Sequence, residues 1–263
     1  MTDDTVIRGR KVIFLYPHSV VADGLIAAIA EREYEVHRVH NHEKLRRVLG
    51  RPELRNALLF VNIDDELAEP EWEKYIRGLR ESPETRDVHI GILSYNEDAA
   101  LAGKYLMQIG VQAGYIRLKL GLEESTRIIL ATLAATEARG QRKHVRADCN
   151  GILNVSLNAK HGERTWRGEL RDLSVAGMAC LFDTDPGLAP ETRLGGIQLN
   201  LRGTLVMVDG TVKGSRQANS RKIYVVLFDE PLPAHVHERL IHFIHDCLQI
   251  QLDRLMDSAA ASR

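Results

Sequence analysis

The hydrophobic periodicity of this chain changes once, and that change limits the folds open to it. From Lys11 to about Glu137, short apolar runs alternate with longer amphipathic stretches. Val12–Tyr16, Val36–Val39, Ala57–Ile63, His89–Leu93 and Gly114–Leu118 read as strands. Between them, Val20–Arg32, Glu43–Leu49, Glu71–Glu81, Ala99–Ile109 and Glu123–Ala135 carry apolar residues at helical spacing, as in Leu25, Ile26 and Ile29. Each parallel strand connection needs a crossover, so five β-then-α units predict a doubly wound parallel sheet with helices on both faces.

After Arg139–Arg146 the helical spacing stops. Gly151–Leu157, Thr165–Leu170, Met178–Phe182, Gly196–Leu201, Thr204–Val208 and Ile223–Phe228 follow one another with Gly, Asp, Asn and Pro between them. Six strands without intervening helices predict a small antiparallel barrel. A last helix, about Ala234–Met256, carries Leu240, Ile241, Ile244, Leu248, Leu252 and Leu255 on one stripe. That stripe can cap the barrel, contact the first domain, or pair with a second copy in a homodimer. Ser258–Arg263 reads as a frayed tail. The expected fold class is therefore α/β followed by all-β, with domains at residues 1–137 and 138–257.

Composition narrows the function classes. With 44% hydrophobic and 27% charged residues over 263 positions, the chain suits two folded soluble domains. No apolar run approaches the ~18 uncharged residues of a membrane span, and Met1–Lys11 lacks the basic-then-apolar order of a secretory signal. The expectation is a cytoplasmic protein with no membrane insertion. Cys149, Cys180 and Cys247 are odd in number and widely spaced, which fits reduced, partly buried thiols better than disulfides or a zinc ribbon. A net charge of −1 removes the general attraction on which non-specific nucleic-acid binders depend. Any anionic ligand must meet a local basic site.

One such site exists between the two halves. Arg139-Gly-Gln-Arg142-Lys143-His144-Val145-Arg146 holds four fixed cations in eight residues and no acid. Taken alone it reads as a solvated linker. Asp172-Leu173-Ser174-Val175-Ala176-Gly177, which begins 26 residues after Arg146, taken alone reads as a turn. Together, in this order and on an all-β segment, they resemble the PilZ family, whose signature is Arg-x-x-x-Arg followed by Asp/Asn-x-Ser-x-x-Gly. Arg142, Arg146, Asp172, Ser174 and Gly177 match every position, and the likeness covers about residues 139–250.

The resemblance implies a receptor for cyclic di-GMP that leaves its ligand chemically unchanged. The residue types suit that ligand, which carries two phosphates and two guanines. A guanidinium makes paired bonds to phosphate oxygens, fits the O6/N7 edge of guanine and stacks on purines. Asp172 can accept from guanine N–H groups, Ser174 can donate or accept, and Gly177 lets the backbone turn closely beneath a ligand. Arg139 and Lys143 are further contacts that the signature does not require. Ligand ordering of the basic segment is expected to change the angle between the domains.

The first half, about residues 10–137, resembles the receiver domain of response regulators. Receivers take phosphate on an Asp at the end of the third strand and hold magnesium with acids after the first. Here Ser94 and Lys119 match the later hydroxyl and lysine positions, but the first strand ends in Tyr16-Pro17-His18 and Asn62 stands at the acceptor position, with Asp64 and Asp65 slightly too late. An amide cannot form an acyl phosphate, and magnesium loses its hard oxygen ligands. The expected role is an interaction or dimerisation module.

Other sites are weaker. The last helix contains His235, His237, His242, His245, Asp246 and Cys247, but the spacing supplies no third ligand beside His242 and Asp246, so no metal is expected. Trp72 and Trp166 read as packed aromatics. No nucleophile elbow, phosphate-binding Gly-rich loop or His-Glu-x-x-His occurs, so neither catalytic residues nor a cofactor are expected. The leading expectation is a cyclic di-GMP receptor that signals to an unidentified protein partner, with motility, adhesion or exopolysaccharide implied by the family resemblance. The competing readings are a phosphorylation-responsive regulator and a ligand-independent scaffold.

Overall fold

Three runs of the first half, β1 (Val12–Leu15), β3 (Leu58–Asn62) and β4 (His89–Ser94), are buried almost throughout. Continuous burial is the mark of central strands covered on both faces. The computed structural model describes residues 9–19, 24–118, 121–136, 138, 143–218 and 221–260. Within it these strands pair in parallel, flanked by β2 (Val36–Val39) and β5 (Tyr115–Arg117) in the order β2-β1-β3-β4-β5. That is a doubly wound sheet, as the alternation predicts. Phe14 stacks on Phe60 with ring centroids 5.2 Å apart. Gly91, opposite Phe60 on β4, is forced by this packing, since a Cβ there would come within 2.8 Å of the Phe60 ring.

The crossover helices are α1 (Ile26–Glu31), α2 (His42–Val48), α3 (Glu69–Glu81), α4 (Ala99–Gly103) and α5 (Gly121–Ala135). A π-helical turn, Lys104–Ile109, continues α4. The first predicted helix starts at Val20, but residues 20–23 lie outside the described residues. Helix starts follow local chemistry. Asn41 Oδ1 accepts the Lys44 N–H at 2.8 Å ahead of α2, and Asp98 Oδ1 accepts the Ala100 N–H at 2.8 Å ahead of α4.

The second half forms β6 (Ala147–Asp148), β7 (Val155–His161), β8 (Arg164–Ser174), β9 (Gly177–Phe182), β10 (Arg193–Leu201), β11 (Thr204–Ala218) and β12 (Arg221–Phe228). Strands β8-β7-β10-β11-β12-β9 pair in sequence, and β9 returns to β8, so six antiparallel strands close into a barrel. On β8, β7 covers one edge only from Arg164 to Gly168. The two-residue β6 adds to β8 from outside that ring.

Several boundaries differ from the sequence expectation. The strand expected from Gly151 begins at Val155, because Gly151 and Asn154 take φ of 72° and 60° and turn the chain first. Strand β11 runs ten residues past Val208 through the polar stretch Lys213–Gln217, which sits on an exposed hairpin arm with β12. Alternation of buried and exposed positions carries no apolar signal there.

Helix α6 (Ala234–Ala260) is longer than predicted, and Ser258–Ala260, expected to fray, remain helical. Chain contacts divide the molecule into Met1–Lys143 with Gln249–Arg263, and His144–Leu248. The last turns of α6 thus belong to the α/β unit. Leu252 and Met256 lie in its core with Trp72, Tyr75, Leu45 and Val48. Gln249 exchanges two 2.9 Å hydrogen bonds with the Arg38 backbone on edge strand β2. Burying each such apolar side chain is worth roughly 1.5–3 kcal/mol.

Candidate functional site

Strand β8 carries a bulge between Leu170 and Asp172. Leu170 and Leu173 are both buried although three positions apart, so the bulge turns Asp172 away from the barrel core. After it the strand runs two more residues and folds back through Val175 and Ala176 into β9. Ser174 pairs with Gly177 across this turn, and its buried hydroxyl donates to the Gly177 carbonyl at 3.1 Å.

Gly177 is set by packing. A Cβ there would stand 2.3 Å from the Val226 carbonyl oxygen of β12, closer than any side chain tolerates. Within the barrel, its direct constraint is therefore this neighbouring backbone.

Strand β6 brings the two sequence motifs together. Ala147 pairs with Leu173 and Asp148 with Asp172, so Arg146, one residue earlier, arrives beside the Asp172 carboxylate. Its Nη1 lies 3.3 Å from Asp172 Oδ1. The guanidinium is 43% exposed and the carboxylate 25%. The pair is an ion contact without aligned hydrogen-bond geometry: Asp172 Oδ1 is buried and has no hydrogen bond among the described residues. A charged acceptor in that state is costly and favours any donor that reaches it.

The segment beyond Asp148 is pinned to β8. The Cys149 N–H donates to the Arg171 carbonyl at 2.8 Å, and the Arg171 guanidinium donates to Asn150 Oδ1 at 3.1 Å. Arg171 and Asn150 escape sequence reasoning because their meeting depends on a two-residue strand too short to give a periodic signal. Lys143 is described and exposed, whereas Arg139 and Arg142 lie outside the described residues.

In the α/β unit, Asn62 is buried and structural. Its Nδ2 donates to the Tyr16 carbonyl at 2.8 Å, and its Oδ1 accepts the Asp64 N–H at 3.1 Å. The carboxylate that meets Ser94 is Asp64, at 2.5 Å. Asp65 accepts the Glu66 N–H, and Lys119 lies outside the described residues. On α6, His242 and Asp246 stand 3.7 Å apart as an exposed pair. Among the described residues no group of three His, Cys, Asp or Glu side chains could hold a metal ion. None of the described helices is long and apolar enough to cross a membrane.

No curated protein matches the chain. Among solved structures, the chain is similar to the PilZ domain with c-di-GMP of YcgR from Escherichia coli, at 19% identity over 47% of this chain and 99% of that one, TM-score 0.37. It is similar to the K. pneumonia MrkH–c-di-GMP complex at 16% identity, over 46% of this chain and 55% of that one, TM-score 0.36. It also matches the response regulator RPA3017 in red light signaling of R. palustris at 19% identity, over 46% of this chain and 90% of that one, TM-score 0.38. The family model of the PilZ domain, a ligand-binding and non-catalytic family, matches residues 140–246. Residues 140–246, which hold the barrel, thus match the PilZ domain model, and the α/β unit lies outside the matched residues.

Proposed function

We propose that this protein is a cyclic di-GMP receptor whose site lies where β6 meets the end of β8. The observation that carries the reading is the paired state of Arg146 and Asp172: a half-exposed guanidinium beside a carboxylate whose buried oxygen has no hydrogen-bond donor among the described residues. Cyclic di-GMP matches both groups. Its phosphates and the O6/N7 edge of guanine take the guanidinium, and its guanine N–H groups supply the donors that Asp172 lacks. Arg142 is the second signature cation, and Arg139 and Lys143 add positive charge to a dianion site. Ser174 and Gly177 serve by holding the hairpin that presents Asp172. The ligand is bound and released unchanged.

Further output follows from the same reading: a cytoplasmic receptor acts through a protein partner in the control of motility, adhesion or exopolysaccharide, with the α/β unit as an interaction or dimerisation module.

Calorimetric titration with cyclic di-GMP, with GTP as competitor and Arg146→Ala as control, tests the site. The expected result is micromolar or tighter binding, about −8 kcal/mol or better, absent for GTP and lost in the variant. A folded protein that binds no cyclic di-GMP would leave the scaffold reading in its place.

A further inference from the structure

At the carboxyl end of the α/β sheet three groups converge on one carboxylate. Ser94, fully buried at the end of β4, donates its hydroxyl to Asp64 Oδ1 at 2.5 Å. The Ser94 oxygen also accepts the Asn96 N–H at 3.0 Å. The Tyr95 backbone N–H donates to Asp64 Oδ2 at 2.6 Å. Both contacts are short.

The third group is His18, just after β1. Its Nε2 is buried, has no hydrogen-bond partner among the described residues, and stands 3.7 Å from Asp64 Oδ2. Its ring is held edge-on against Tyr95, with centroids 4.8 Å apart. The carboxylate is delivered by the turn after β3, where Asn62 receives the Asp64 N–H while anchoring itself to the Tyr16 carbonyl.

The location matters as much as the contacts. Strand order reverses direction between β1 and β3, and open α/β sheets bind ligands outside the carboxyl ends of their strands at such a point. A hydroxyl, a backbone amide and an imidazole around two oxygens form a cradle for a tetrahedral or planar oxyanion as readily as for a carboxylate. A side chain attached to the fold occupies it at very high effective concentration, so a free anion in solution competes poorly.

We propose that this end of the sheet is an oxyanion site which the chain fills with its own Asp64 carboxylate, closing the α/β unit to free phosphate-class anions. Removing the carboxylate while keeping Ser94, Tyr95 and His18 should open it. The proposal stands apart from the cyclic di-GMP reading.

The test is thermal and calorimetric titration of the full chain with orthophosphate, against chloride at equal ionic strength. The native protein should be indifferent to tens of millimolar phosphate. Asp64→Ala should gain phosphate-specific stabilisation that saturates, with sulfate acting likewise, and the double variant D64A/S94A should lose at least tenfold in affinity. If Asp64→Ala is poorly folded, Asp64→Ser, which is also too short to fill the cradle, provides the second measurement. Phosphate should then restore folding of either variant. Equal phosphate response in the native protein, or no oxyanion-specific response and no rescue in both variants, overturns the proposal.

Discussion

Arg146 Nη1 stands 3.3 Å from Asp172 Oδ1, and only the pairing of β6 with β8 puts them there. An ion pair this exposed contributes about 0–1 kcal/mol to folding. Arg146→Ala should therefore shift urea unfolding by less than about 1 kcal/mol while cyclic di-GMP affinity falls by at least 100-fold. Calorimetry and denaturant melts on the same preparation separate the two effects. A variant that loses both together would make Arg146 a structural residue first.

Gly177 gives the opposite pattern. A methyl group there meets the Val226 carbonyl oxygen at 2.3 Å, and at Gly168 it meets the Leu181 carbonyl oxygen at the same distance. Gly177→Ala and Gly168→Ala should both destabilise the barrel, by about 2 kcal/mol or more, although Gly168 lies outside the signature. Thermal melts check this. A Gly177→Ala protein as stable as the native one would show that the glycine serves the ligand alone.

Acid should weaken the α/β unit through Glu35. Burial by itself would raise this carboxyl, but the hydrogen bond with His37 at 3.2 Å and the Lys11 ammonium outweigh it, lowering the value from 4.5 to about 2. The folded carboxyl then binds its proton less readily than the unfolded one. The stabilisation is complete above about pH 4.5 and disappears as pH falls through 2. It amounts to at most about 3 kcal/mol. Glu35→Gln should be less stable than the native protein at pH 7, with the gap closing towards pH 2 in denaturant melts.

The three thiols should be silent in the native state. Cys149, Cys180 and Cys247 are all buried. Burial pushes Cys180 up to about 12, with the Asp172 charge adding to it, and a hydrogen bond with Cys247 together with burial raises Cys149. Thiolate is the reactive form. Ellman's reagent at pH 8 should therefore label none of them until the chain is unfolded, when all three react. Rapid labelling of the folded protein would mean that the barrel opens near Cys149.

Much of this architecture is legible in the linear chain. The central strands of the first half are buried on both faces, so their apolar runs Val12–Leu15 and Leu58–Asn62 stand out from any window. The barrel strands are legible only where alternation persists. Strand β11 beyond Val212 lies on an exposed arm, and its Lys213, Ser215 and Arg216 give no apolar signal. The signature residues Asp172, Ser174 and Gly177 are readable as a group because they share one hairpin, where local spacing and spatial neighbourhood coincide.

Two relationships are not local, and the linear chain is silent on both. Asp64 follows the acceptor position by two residues, which reads as too late. The turn held by Asn62 nevertheless swings its carboxylate onto Ser94 and Tyr95. Likewise the stripe on α6 is visible from residue spacing, but not which surface it covers, and Leu252 and Met256 prove to belong to the α/β core. By itself the sequence determined the two fold classes, their order and the residue types able to meet a dianion, because periodicity and side-chain chemistry are properties of neighbouring residues. Only the tertiary structure decided that Arg146 meets Asp172 and that Asp64 accepts from Ser94 and Tyr95, because those contacts join residues whose separation is set by strand pairing and turn geometry.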